Sequence, residues 1–99
     1  MDVTRSKFPA DLKKPAVAAD WQARGYSCDT FVDPPGQCWE DFTHGCNELV
    51  TVVQGELEME IAGEVARLGP GDEVFIPRGA TPSVRNTHSG TTIWLYGYD

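Results

Sequence analysis

The stretch HGCNELVTVVQG, residues 44–55, joins three candidate ligand side chains to the most strand-like run of the chain. His44, Cys46 and Glu48 lie two residues apart, so an extended backbone would point all three to the same face. The β-branched run that follows, closed by Gly55, is typical of a strand that ends in a turn. The sequence therefore predicts candidate ligand side chains at the start of a strand and purely structural residues in the rest of it.

Further short strands, separated by Gly and Pro turns, are predicted on both sides of this stretch. Residues 56–61 alternate strictly between acidic and apolar side chains, which places Leu57, Met59 and Ile61 toward the core. Other extended segments are predicted at residues 26–32, 37–42, 65–68, 73–77, 82–86 and 91–98. Turns at intervals of about 8 to 12 residues are typical of a sandwich or barrel, so the predicted class is all-β.

The first quarter of the chain differs from the rest in composition. It has dispersed charges, Pro9, Pro15 and an Ala-rich segment over residues 15–24 that either forms a short helix or lies across the sheet. We expect an irregular or partly helical N-terminal arm over residues 1–25 and one β domain over residues 26–99. A chain of 99 residues is long enough for one compact domain.

The last predicted strand is apolar on both faces. Ile93, Leu95 and Gly97 share one face, and a second set of alternate residues, all aromatic, shares the other: Trp94, Tyr96 and Tyr98. The aromatic face is expected to pack against the N-terminal arm or a second subunit, in preference to stacking on a ligand. Within the arm, Trp21 and Phe8 are the expected contacts.

The overall charge argues against one class of partner. The formal net charge is −7, and the basic residues form no stripe that would neutralise phosphates, so nucleic acid is not an expected partner. No apolar run is long enough to span a membrane, and the N-terminus lacks the apolar core of a secretory signal, so we expect a cytoplasmic protein. Cys28, Cys38 and Cys46 are an odd number without a C-x-x-C spacing, which favours reduced thiols.

The spacing of residues 36–55 resembles the first motif of the cupin superfamily. That motif is Gly, five residues, His-x-His, three or four residues, Glu, six residues, Gly. This chain keeps every interval, with these residues at the motif positions: Gly36, Phe42, His44, Glu48 and Gly55.

Residues 71–86 resemble the second cupin motif, which is Gly, five residues, Pro-x-Gly, two residues, His, three residues, Asn. The intervals are again kept, by Gly71, Pro77, Gly79, Pro82 and Asn86. The resemblance covers about residues 36–86. It implies a jelly-roll β-barrel, also called a double-stranded β-helix, and a homodimer.

The resemblance also implies a metal at the centre of the barrel, but half of its ligands are replaced. His44 and Glu48 stand at two of the four ligand positions, whereas Phe42 and Pro82 stand where the family has histidines. Neither replacement offers a side-chain lone pair, so the usual site with three histidines and one glutamate cannot form. Cys46 falls between ligand positions, and adds a third donor only if the backbone bends.

Three functions follow as hypotheses. The first is a single-domain cupin that binds a small molecule in its barrel without the standard metal, with these residues near the pocket: Phe42, His44, Cys46, Glu48, Val50, Val52, Pro82, Val84 and Asn86. The second is a metal-dependent enzyme of the dioxygenase, isomerase or decarboxylase type, with Zn, Fe, Mn, Ni or Cu held by His44, Glu48 and Cys46. The third is a regulatory or protein-interaction module. The sequence assigns no catalytic residue, because this fold hosts many unrelated activities.

Overall fold

A computed structural model describes residues 1–39 and 45–99. In chain order, the elements of the described residues are β1 (Asp2–Thr4), α1 (Lys14–Ala23), β2 (Asp29–Asp33), β3 (Cys38–Trp39), β4 (Glu48–Gln54), β5 (Leu57–Ile61), β6 (Glu64–Leu68), β7 (Glu73–Ile76), β8 (Ser83–Arg85) and β9 (Thr92–Tyr98). Each predicted extended segment contains a strand, and β1 is an addition. The all-β class is confirmed.

The strands form two antiparallel sheets. The five-stranded sheet has the order β1-β7-β4-β9-β2, and the four-stranded sheet has the order β3-β8-β5-β6. Consecutive strands often lie in different sheets. For example, Gly55 has a φ of +88° and turns the chain from β4 in one sheet to β5 in the other. Below, the inner face of each sheet is the face turned toward the other sheet.

The main core lies between the inner faces. Apolar side chains at alternate positions of both sheets are 3% exposed or less, namely Val50, Val52, Leu57, Met59, Leu68, Val74, Ile76, Val84 and Trp94. Leu57 and Met59 are fully buried, and Ile61 packs against the same cluster at the edge. The predicted orientation of residues 56–61 is therefore confirmed.

A second core lies on the outer face of the five-stranded sheet, where the N-terminal arm covers it. Leu12, Val17 and Trp21 pack there against Leu49 of β4 and Leu95 of β9. The arm thus contacts the Leu95 face of the last strand. The first of our two alternatives, that the arm covers the aromatic face, is wrong, because Trp94 belongs to the main core and Tyr96 packs against it. The second alternative, contact with a second subunit, stays a prediction.

Helix α1 has local signals for its position and one tertiary anchor. Pro15 stands in its first turn, where proline costs no hydrogen bond, and Gly25 follows its end with a φ of +88°. The anchor is the buried carboxylate of Glu73 on β7, which accepts hydrogen bonds from Trp21 Nε1 at 2.8 Å and Arg24 Nη2 at 2.6 Å. The Ala-rich segment over residues 15–24 therefore forms a helix and also lies across the five-stranded sheet, so both of our alternatives apply.

The arm approaches β9 so closely that only glycine fits at one position. A Cβ atom placed on Gly97 would lie 1.9 Å from the carbonyl oxygen of Ser27. The arm also adds β1 to the edge of the five-stranded sheet, beside β7. Among residues 1–39 and 45–99, no helix has the length and apolar character needed to cross a bilayer.

Truncation of the anchoring indole is expected to destabilise the whole chain. Trp21 is fully buried, so Trp21→Ala should lower the free energy of unfolding by about 3–5 kcal/mol. The measurement is urea unfolding monitored by circular dichroism. Gln22→Ala, at an exposed position of the same helix, is the control. A loss below about 1 kcal/mol for Trp21→Ala would contradict the assignment of the arm to the core.

Candidate functional site

The strand register places a set of polar and aromatic side chains on the inner face of the five-stranded sheet. Glu48 lies opposite Tyr98, and Val50 lies opposite Tyr96. On the next strand, Phe31 lies opposite Trp94. Directly paired residues of antiparallel strands point to the same face, so all of these side chains project into the space between the sheets.

Glu48 is a carboxyl group in a buried position. It is the first residue of β4 and is 2% exposed. Burial penalises the charged form and raises its pKa from 4.5 to about 7. Near neutral pH, Glu48 therefore exchanges a proton readily and gains from any ligand that stabilises its negative charge.

Tyr98 lies close to this carboxyl group and also to Cys46. The pKa of Tyr98 is raised to about 12, mainly by burial and next by the negative charge of Glu48. The Cys46 thiol contributes to the same shift, and its side chain is half-buried. The sequence prediction that Cys46 and Glu48 point the same way is consistent with this common effect on Tyr98.

Five aromatic rings form a continuous row along the inner face, which we call the aromatic row: Phe31, Trp39, Trp94, Tyr96 and Tyr98. Phe31 stacks on Trp94 with a centroid separation of 5.1 Å, and its centroid lies 4.8 Å from that of Tyr96. Tyr96 in turn lies 5.7 Å from Tyr98. The row therefore extends from the main core to the neighbourhood of Glu48.

Trp39 brings the edge of one sheet to the edge of the other. It lies on β3, the edge of the four-stranded sheet, and its ring centroid is 5.6 Å from that of Phe31 on β2, the edge of the five-stranded sheet. Trp39 is 40% exposed, and Phe31 is half-buried. The aromatic row thus ends in an exposed ring where these two edges face each other.

Asp33 fixes two of the indole rings. Its carboxylate is 2% exposed and accepts hydrogen bonds at Oδ2 from Trp94 Nε1 at 2.9 Å and from Trp39 Nε1 at 3.3 Å. Two donors on one buried oxygen hold the rings in a fixed orientation. Asp33 was not predicted as a site residue.

The predicted pocket residues have different environments. Phe42 and His44 lie outside the described residues. Val50, Val52 and Val84 are at most 1% exposed and belong to the main core, and Pro82 is also buried. These apolar residues form a buried layer beneath the polar and aromatic groups.

Asn86 is committed to holding loops together. Its Nδ2 group lies within hydrogen-bonding distance of the carbonyl oxygens of Asp33, Pro34 and Gly90, and its Oδ1 accepts bonds from the His88 amide and the Thr92 hydroxyl. The side chain is 2% exposed. Through these bonds it fixes the chain next to Asp33, so its contribution to the site is positional.

The donor atoms do not match the family's metal site. Pro82 has no lone pair, and within the described ranges no group of three or more His, Cys, Asp or Glu side chains is placed to hold a metal ion. We therefore assign no reaction step to a metal. The assignment of His44, Cys46 and Glu48 as ligands stays a prediction, because His44 lies outside those ranges.

Sequence reasoning missed the aromatic row as one surface. Trp39 and Phe31 are on different sheets, and no local pattern relates them. One available signal is Gly97, since a glycine within a strand often marks close backbone approach on its own face. This signal predicts that the arm covers the face of β9 that carries Leu95. The aromatic side chains of β9 then point to the interior.

Comparison with known families gives one match in sequence. Residues 30–98 match a family model described as a cupin domain. No curated protein matches the chain. The matched range includes β2 to β9 and therefore the aromatic row and Glu48.

Many solved structures share this fold. A protein of unknown function from Rhizobium leguminosarum is 26% identical, with a TM-score of 0.66, 74% of this chain covered and 68% of that chain covered. A cupin superfamily protein from Desulfitobacterium hafniense is 16% identical, with a TM-score of 0.67 and coverages of 74% and 65%. The DMSP lyase DddQ from Ruegeria pomeroyi is 28% identical, with a TM-score of 0.65 and coverages of 74% and 37%. This chain thus spans less than two thirds of the last two proteins.

Ionisation of Glu48 is expected to make stability depend on pH. Because the folded-state pKa is raised, the stabilisation is fully present below about pH 4.5 and is lost as the pH rises through about 7. The loss should be on the order of 3 kcal/mol in the free energy of unfolding, and Glu48→Gln should remove it. Denaturant unfolding on either side of this range measures the effect.

Glu60→Gln is the matched control, since Glu60 is exposed on the outer face of β5 and the substitution changes the net charge equally. It should leave the pH dependence of the parent chain in place. Identical pH profiles for the parent chain and Glu48→Gln would show that burial does not hold this proton.

Restoring the missing histidines is expected to create a metal site. The double variant Phe42→His, Pro82→His places histidine at both replaced ligand positions and should retain about one zinc ion per chain after desalting. The parent chain should retain far less under the same treatment, measured by metal analysis. Full retention of zinc by the parent chain would contradict the conclusion that its ligand set is incomplete. Thermal unfolding of both proteins checks that the variant folds.

Proposed function

Because the chain belongs to the cupin domain family, we propose that it binds a small molecule in the space between its two sheets. The observation that carries this proposal is the aromatic row, which runs from the open side at Trp39 to the buried carboxyl group of Glu48. Ligand sites are commonly apolar and aromatic concave surfaces with a few polar groups that fix orientation. Here the aromatic row is the apolar surface, and Glu48 is the polar group.

The partial exposure of the row supports the proposal. Trp94 is 3% exposed and completes the core, but Phe31, Tyr96 and Tyr98 are only half-buried, and Trp39 is more exposed still. These partly exposed rings adjoin one another, and a contiguous apolar patch is the kind of surface that binds a partner or ligand. A bound molecule would remove these rings from water and gain the hydrophobic free energy of doing so.

An enzymatic role is the second candidate, and the pKa of Glu48 favours it. A carboxyl group with a pKa of about 7 is suited to accept or return a proton at neutral pH. The 28% identity to a DMSP lyase, of which this chain covers 37%, is a second support for this candidate. In this role Glu48 would act as the general base on the molecule held against the aromatic row.

The binding proposal is tested by titrating the protein with a library of small fragments of varied charge. Binding fragments should shift the NMR amide signals of inner-face residues such as Tyr96 and Tyr98. Signals of the outer-face residues Glu58, Arg67 and Arg85 should stay in place. The absence of any fragment that shifts inner-face signals would overturn the proposal.

A pair of truncations separates the open side from general surface hydrophobicity. Trp39→Ala should weaken fragment binding about tenfold, because an aromatic contact is worth about 1 kcal/mol or more. Val65→Ala is the control, since Val65 is 58% exposed on the other edge of the four-stranded sheet. Equal weakening by both variants would count against a site at Trp39.

A further inference from the structure

We propose that the molecule bound between the sheets is a small organic cation of the quaternary ammonium type, held against the aromatic row beside Glu48. This inference rests on the proposed binding function and adds the chemical class of the ligand. It is carried by three observations: the signs of the charges on the inner face, the hydrogen bonds that orient the indoles, and the kind of contact that the rings offer.

The charged groups on the inner face of the described strands are all acidic. Register places Asp29 opposite Tyr96, Asp33 opposite Thr92 and Glu48 opposite Tyr98, so three carboxyl groups share a face with the aromatic row. The arginines of the described strands point the other way, because Arg67 and Arg85 are both paired in register with outer-face Glu58. On this face of the described strands, an anionic ligand would therefore meet only groups of like charge.

Asp33 makes the aromatic faces more attractive to a cation. Within the described part of the chain, its buried carboxylate takes hydrogen bonds from two indole N–H groups and forms no ion pair with lysine or arginine. A donor bonded to an anion is polarised, which raises the electron density of the ring that carries it. Trp39, which is 40% exposed, thus presents a ring that is both fixed in orientation and enriched in negative charge, while Trp94 is buried behind Phe31.

The contacts on offer suit a weakly hydrated cation. Ring faces attract positive charge but do not replace the hydrogen bonds of water, so a compact, strongly hydrated ion would lose more than it gains. A quaternary ammonium group carries its charge on apolar methyl groups, which can lie against an exposed ring face such as that of Trp39. The carboxyl group of Glu48 lies at the Tyr98 end of the row, where it would face the positive charge.

Choline and its uncharged isostere, in which carbon replaces nitrogen, form the deciding pair of probes. Both have the same shape, so an apolar pocket would bind them equally. Titration followed by NMR amide shifts should show choline binding on the inner face at least about tenfold more tightly than the isostere. Equal affinities, or no shift of inner-face signals by choline at millimolar concentration, would overturn the assignment of a cation.

Two pairs of variants attribute the binding to the named groups. Glu48→Gln should weaken choline binding about tenfold or more, whereas Glu60→Gln on the outer face changes the net charge equally and should leave it unchanged. Tyr96→Leu should also weaken binding, and Tyr96→Phe, which keeps the ring, should retain it. Thermal unfolding confirms that each variant is folded. Unchanged affinity in both Glu48→Gln and Tyr96→Leu would place choline elsewhere and overturn the proposal.

The two proposals fail in different ways. If neutral or anionic fragments shift inner-face signals while choline does not, the ligand class is wrong and the binding function stands. If no fragment of any charge shifts those signals, both proposals fail together.

Discussion

Strands β4 and β9 are apolar on both faces, and the rest of the structure is arranged to remove both faces from water. Between the sheets, Val50, Val52 and Trp94 lie in the main core, while Leu49 and Leu95 on the outer face lie under the N-terminal arm. A single sheet with one face in water would leave the apolar side chains of that face exposed. Each exposed side chain would lose the free energy of its burial. The four-stranded sheet covers one face, and α1 covers the other.

This double burial decides where a ligand can bind. Because the arm occupies the Leu95 face and reaches the backbone of Gly97, the aromatic face of β9 is directed inward. The inward rings meet Phe31 from β2 and Trp39 from the opposite sheet, and the row ends beside Glu48. The same constraint that stabilises the fold thus assembles the surface on which the proposed functions depend.

This chain keeps the motif positions that shape the backbone but has replaced two of the four metal-ligand positions. The motif positions that shape the backbone remain: Gly55 and Gly71 adopt positive φ values, and Asn86 ties the loops near Asp33 together. These positions are constrained by sterics and hydrogen bonds that any member of the fold must satisfy. Pro82 is buried and has no donor atom, so this ligand position has lost its metal-binding chemistry while the turn positions keep their glycines. Of the two metal-ligand positions that the structure describes, Glu48 keeps a polar side chain and Pro82 does not.

Sequence alone was sufficient for the all-β class, the strands after residue 25, and the inward direction of Leu57 and Met59. These follow from alternation and motif spacing, which are local properties of the chain. The tertiary structure decided which face of β9 the arm covers, that residues 14–23 are both a helix and a cover, and that Asp33, Phe31 and Trp39 join the site. A period-2 pattern separates the two faces of a strand but does not say what covers each when both are apolar. That choice depends on contacts between residues far apart in the chain, such as Trp21 with Glu73 and Trp39 with Phe31.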